Sequence, residues 1–121
     1  MAHQIGQTGR VTLESKTFEV ELETHHKNKT YEEYKVDCPE GWQIPTYWLL
    51  QEIRNSPKSR EKFGLLNTYE YTQNRDNISG RQGCVSGFIA DSGVVYLNCN
   101  WDPSYRDGRL GVRYAREIPK E

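Results

Sequence analysis

Hydrophobic and polar residues alternate most cleanly between positions 11 and 24, where Phe18, Val20 and Leu22 fall on one side and Glu19, Glu21 and Glu23 on the other. A period of two belongs to a half-buried strand, so the spacing predicts one strand here with its glutamates in solvent. Residues 1–10 lack periodicity and are expected to form a flexible lead-in. Positions 25–34 are polar and read as a loop running into Tyr34 and Val36. The period changes after Pro39 and Gly41. Trp42 and Ile44 are apolar anchors, and Pro45 holds Ile44 extended. Thr46 then stands as an N-cap before Leu49, Leu50 and Ile53, the i, i+1, i+4 stripe of a short helix. Ser56-Pro57 ends that helix, and 58–66 predicts one or two further turns, with Phe63 inward and Gly64 closing.

Beyond Asn67 the pattern is one of short strands and polar turns. Tyr69 and Tyr71 mark a strand, 74–83 a turn-rich loop, and 84–91 and 94–101 two strands joined at Asp91-Ser92-Gly93. A polar loop follows, and 110–118 closes the chain as a single strand with Val112, Tyr114 and Arg116 on one face. The fold class is α+β: mainly antiparallel sheet with one or two helices. The expected core is Phe18, Val20, Leu22, Trp42, Ile44, Leu49, Leu50, Ile53, Phe88, Leu110 and Val112.

Composition narrows the class of partner. The 121 residues suit one domain, here 11–121. Hydrophobic residues are only 35% of the chain, so its 8 Tyr, 3 Trp and 3 Phe must share the packing. The 16 basic and 17 acidic residues are spread evenly over both halves, which leaves no electrostatic footprint for nucleic acid. Apolar runs reach only four residues, as at 47–50; neither a membrane span nor a signal-peptide core is expected. Cys38, Cys84 and Cys99 are widely spaced with no C-x-x-C pair. Three buried thiols are the expectation, with one disulfide plus a free thiol as the alternative.

Catalytic chemistry finds little footing. His25 and His26 point to opposite sides of a strand end, His3 lies in the lead-in, and these histidines and the cysteines lack zinc-ligand spacing. No catalytic residue, metal or cofactor is assigned. Asp91, Asn98, Asn100, Asp102 and Asp107 gather oxygen donors suited to Ca²⁺, but no EF-hand spacing is present and local turn bonding explains them better. The informative segment is 96–109. It mixes Tyr96, Trp101 and Tyr105 with Asn98, Asn100, Asp102, Ser104, Arg106, Asp107 and Arg109. Aromatics give contact area at low rotamer entropy and small polar groups give adaptable hydrogen bonds, which is paratope chemistry.

The motifs GWQIPT (41–46), DSG-x-x-YL (91–97) and LGVRYARE (110–117) resemble those of C-type-lectin-fold domains. Among these, the chain is most similar to the small variable proteins of diversity-generating retroelements in archaea and their viruses, relatives of formylglycine-generating-enzyme-like domains. The resemblance covers about 38–117 and implies a variable region at about 84–117. It implies that the first and last strands pair, setting Glu19, Glu21 or Glu23 against Arg113 or Arg116. It further implies a diversified ligand-binding face (Tyr96, Asn98, Asn100, Trp101, Asp102, Ser104, Tyr105, Arg106, Asp107 and Arg109). The partner it implies is a protein or glycan, on a virion or cell surface. The calcium–sugar motif of lectins and the cysteine pattern of formylglycine-generating enzymes are missing. A lectin-like adhesion module with a fixed site is the alternative, and an enzyme using Cys84 or Cys99 a third.

Overall fold

Two consecutive residues of positive φ, Glu14 (51°) and Ser15 (69°), turn the chain back on itself where a single strand is expected. The result, in the computed structural model, is a hairpin of β1 (Thr8–Leu13) and β2 (Lys16–Glu21), with Thr12 opposite Thr17. Paired positive φ values match the twist of the two strands. The described residues are 3–55, 57–63, 69–75, 77–89, 94–99, 104, 106 and 108–119, with backbone only at 57, 88, 89 and 94–96. The hairpin corrects two expectations. One strand is in fact two, and β1 begins inside the segment read as a flexible lead-in. Gly9 lies in β1, where a Cβ would come within 2.8 Å of Lys62 Cε and 3.1 Å of the Phe63 ring.

Three helices follow: α1 (Tyr31–Asp37), α2 (Tyr47–Arg54) and α3 (Pro57–Phe63). The first stands where a polar loop is expected. Its cause is a capping box, in which the Thr30 hydroxyl accepts from the Glu33 N–H and the Glu33 carboxylate accepts from the Thr30 N–H. Thr30→Ala should therefore cost about 1 kcal/mol, read as a lower urea midpoint at unchanged slope; an unmoved midpoint would remove the cap from the account. Helix α2 forms as its sequence predicts. The Thr46 hydroxyl accepts from the Leu49 N–H at 3.3 Å, and Leu49, Leu50 and Ile53 are buried. Each contributes about 1.5–3 kcal/mol of burial.

Strands β3 (Tyr69–Tyr71), β4 (Val85–Ile89), β5 (Val94–Asn98), β6 (Leu110–Gly111) and β7 (Ala115–Ile118) complete the order. They make two sheets, β1-β2-β7 and β5-β4-β3-β6, all antiparallel except β3 with β6. The fold is α+β. The closing segment is not one strand: it leaves the four-stranded sheet after Gly111 and joins the three-stranded sheet at Ala115. Between them Val112 bridges His25, with N–H···O bonds of 2.8 and 3.1 Å. Gly111 lies so close beneath the His25 carbonyl that a Cβ would overlap it. Early and late strands pair as expected: Glu19 faces Arg116 across β2 and β7, with an ion pair of 2.8 Å.

Each sheet has its own apolar core. Val11, Val20, Leu49, Leu50, Ile53, Phe63 and Ala115 fill the space between the hairpin sheet and α2–α3. Tyr31, Tyr34, Ile44, Tyr71, Val85, Leu110, Val112 and Tyr114 fill the other. Phe18, Leu22 and Trp42 are only half-buried, and the Arg116 guanidinium covers the Trp42 ring at 4.8 Å. The Phe88 side chain lies outside the described residues.

Candidate functional site

The segment singled out for binding begins on β5, the edge of the four-stranded sheet, and ends at β6. Leu97, Asn98, Ser104, Arg106, Gly108 and Arg109 are all exposed. Asn100, Trp101, Asp102, Tyr105 and Asp107 lie outside the described residues, as do Asp91, Ser92 and Gly93 of the expected turn and Gly64; of Tyr96 only the backbone is described. Exposure stops abruptly at Leu110, where six consecutive residues through Ala115 are buried.

A covalent bond pins the segment near its start. Strands β4 and β5 are in register with Val85 opposite Asn98, so Cys84 and Cys99 form the next cross-strand position, with Cα atoms 4.4 Å apart, and are joined as a disulfide. This corrects the expectation of three buried thiols: the hairpin register brings together two cysteines that look unrelated in sequence. Cys38 remains free, and burial, with a smaller contribution from Glu21, pushes its thiol up to about 11.

Between α2 and the four-stranded sheet lies a buried ionic platform. Glu70 on β3 accepts from Arg113 Nε (2.5 Å), Arg54 NH2 (3.1 Å) and the Thr24 hydroxyl (2.5 Å). Arg54 also donates to the Ser86 hydroxyl of β4 at 2.7 Å. All three charged side chains are fully buried. Of the two arginines expected opposite a β2 glutamate, Arg116 takes that place, and the Arg113 guanidinium donates to Glu70 and to the Glu21, Leu22 and Phe63 carbonyls.

The late segment leans on α1. Arg106 pairs with Glu33 at 2.9 Å, so a residue of the expected face is tied to the helix cap. Ser104 borders a cleft of about 480 Å³ that also meets Tyr31, Lys35, Arg75 and Arg81. A second cleft of about 370 Å³ shares Tyr31, Lys35 and Gln82 with it and extends to Trp42. Aromatic, amide and cationic groups thus lie side by side near the described part of the face.

A different cluster leaves almost no trace in the sequence. Glu21, expected in solvent, is buried because the N-terminal residues His3 and Gly6, together with His25 and the Tyr114 backbone, close over its carboxylate. One carboxylate oxygen, Oε1, accepts from the Tyr114 N–H at 2.9 Å. The other accepts from His3 Nε2 (3.0 Å), His25 Nε2 (2.7 Å) and the Gly6 N–H (3.2 Å). Desolvation raises the carboxyl's pKa, but the bonds from His25, His3, Tyr114 and Gly6 outweigh it and bring it to about 2. The only sequence signal was the presence of histidines; their convergence depends on the hairpin turn and the His25–Val112 bridge.

No protein-family model, curated protein or solved structure matches the chain. Among the described residues no helix is long and apolar enough to cross a membrane.

Proposed function

We propose that this chain is a non-enzymatic recognition domain of the C-type-lectin type, with residues 96–109 as a ligand face diversified by a retroelement. The observation that carries the reading is the sharp boundary of exposure. Every described side chain from Leu97 through Arg109 except Cys99 is exposed; the Cys84–Cys99 disulfide pins the segment near its start, and the buried run beginning at Leu110 follows its end. A face that tolerates many side chains needs a scaffold specified elsewhere. Two apolar cores and the Glu70 platform supply one. Pairing of β2 with β7 accords with the lectin-type architecture. A disulfide persists in oxidising surroundings, which favours display on a virion or cell surface, towards a protein or glycan.

The decisive test is genomic. A near-identical downstream repeat that differs at adenines, beside a reverse transcriptase gene, is expected; its absence would leave the fixed-site adhesion module. One observation favours that second reading at a single position: the Arg106–Glu33 pair links the face to the α1 cap. A biophysical test accompanies it. Changing Asn98, Asn100, Ser104, Tyr105 and Asp107 together to Ala should alter stability by no more than about 0.5 kcal/mol per site. Thermal melts of this five-site variant check it, and cooperative loss of folding would mean that the segment is scaffold rather than face.

A further inference from the structure

The His3, Glu21 and His25 donor atoms all lie within 4.8 Å of one another. Both imidazole Nε2 atoms reach the same carboxylate oxygen, at 3.0 and 2.7 Å. Ligands about 2.0–2.2 Å from a central cation stand about 3.3–3.6 Å apart in a tetrahedron, so the two nitrogens need draw back from the carboxylate oxygen by less than about 1 Å to admit one. Two imidazoles and one carboxylate are a borderline donor set, suited to Zn²⁺ and its neighbours and ill-suited to Ca²⁺ or Mg²⁺, which take oxygen. We propose that His3, Glu21 and His25 form a mononuclear Zn²⁺ site that clamps the N-terminal segment onto the end of β2 and leaves a fourth coordination position open.

The supporting shell argues for a built site. Glu21 is 1% exposed and His3 6%, whereas His25 is 24% exposed and forms the open edge. The Tyr114 N–H holds the second oxygen of Glu21, which fixes the carboxylate plane. His25 is held at its backbone by the double bridge to Val112, over the cramped Gly111. His3 is held by its own N–H, which donates to the Asp37 carbonyl at 3.0 Å. Such outer contacts orient metal ligands. Beside Glu21 and His25 opens a cleft of about 200 Å³, lined also by Gly6, Gln7, Leu22 and Glu23. It has room for a water in the fourth position, and Glu23 in its lining adds a negative potential that favours a cation.

Metal entry moves protons as well as side chains. Lys27 Nζ lies 2.9 Å from His3 Nδ1, so Nδ1 accepts from the ammonium and Nε2–H donates to Glu21. Coordination needs the Nε2 lone pair on the metal and the ring proton on Nδ1. Lys27 is exposed and must swing away as Zn²⁺ enters. Binding also frees Glu21 from its histidine donors, and the cation replaces them as its partner. The site is independent of the recognition face proposed above.

The test uses tag-free protein stripped by a chelator and titrated with Zn²⁺ alone, in competition with a chromophoric chelator. One Zn²⁺ per chain is expected, with a raised melting temperature and ligand-field bands of four-coordinate geometry when Co²⁺ replaces it. His3→Ala and His25→Ala each leave the Glu21–Tyr114 contact in place and should weaken binding at least about 100-fold. His26→Ala, at the adjacent exposed histidine, should leave it unchanged. Imidazole proton resonances of the wild type provide a readout that needs no variant to fold: Zn²⁺ should shift those of His3 and His25 and not those of His26. Absence of stoichiometric Zn²⁺ binding, or binding that leaves the His3 and His25 resonances in place, overturns the proposal.

Discussion

Glu70→Gln should destabilise the fold by about 3–5 kcal/mol, a large share of the roughly 5–15 kcal/mol available to a domain of this kind. The carboxamide has nearly the same shape, so the loss is electrostatic. Arg54 and Arg113 would keep two fully buried guanidinium charges with no anion between them. Neither can discharge by losing its proton. Urea denaturation of wild type and variant measures the difference as a lowered midpoint. A midpoint within experimental scatter of the wild type would mean that water reaches the platform and screens it.

The same carboxylate sets a pH dependence. Desolvation raises the Glu70 pKa, but the charges of Arg113 and Arg54 and the hydrogen bonds from Thr24 and Arg113 win, and it lies below the ordinary 4.5. A folded-state pKa below the unfolded one gives stability that is full above the unfolded value and fades as pH falls through the folded one. Glu21 acts in the same sense, with a folded value of about 2. Wild-type stability should thus decline from about pH 4.5 downwards, and Glu70→Gln should show a shallower decline. An equal slope in the two proteins would assign the acid sensitivity to other groups.

Local signals in the chain are legible where a side chain acts on its own neighbours. Thr46, Leu49, Leu50 and Ile53 announce α2 because cap and stripe both operate within one turn. The Thr30–Glu33 box is equally local; it was legible as T-x-x-E, but the helix behind it has only seven residues and little apolar stripe. The hairpin was hidden because its turn uses Glu14 and Ser15, which lack the Gly or Asn that usually marks positive φ. Alternation across 18–23 correctly separates two sides of a strand but cannot say that Glu21's side is also covered. Likewise LGVRYARE looks like one strand, since each half is extended. Only the buried Arg113, drawn to Glu70 between two sheets, reveals why it breaks. The site residues divide in the same way. Their exposure at Asn98, Ser104, Arg106 and Arg109 agrees with a polar reading of the segment, whereas the disulfide and the His3–Glu21–His25 cluster arise from contacts between distant parts of the chain.

Reduction of Cys84–Cys99 should cost about 3 kcal/mol, the chain-entropy value for a closed loop of this length, since the two cysteines are 15 apart in sequence. The bond joins the open end of the β4–β5 hairpin, and β5 is an edge strand with no neighbour on its other side among the described residues. Without the crosslink, β5 is held by its ladder to β4 and by whatever the segment after Cys99 contributes. Strand β4 is anchored better: it pairs with β3, and its Ser86 accepts from the buried Arg54. Loosening should therefore be graded. Backbone amides of β5 should lose hydrogen-exchange protection first, those of β4 less, and those of the β1–β2–β7 sheet only with global unfolding. The double variant Cys84→Ser, Cys99→Ser should reproduce the effect of a reductant, while Cys38, whose thiol burial keeps protonated at neutral pH, should react slowly with alkylating agents in both states. Equal melting temperatures for oxidised and reduced protein would show that the hairpin is held without its crosslink, and the proposed recognition face would then owe its frame to the ladder and the Glu70 platform alone.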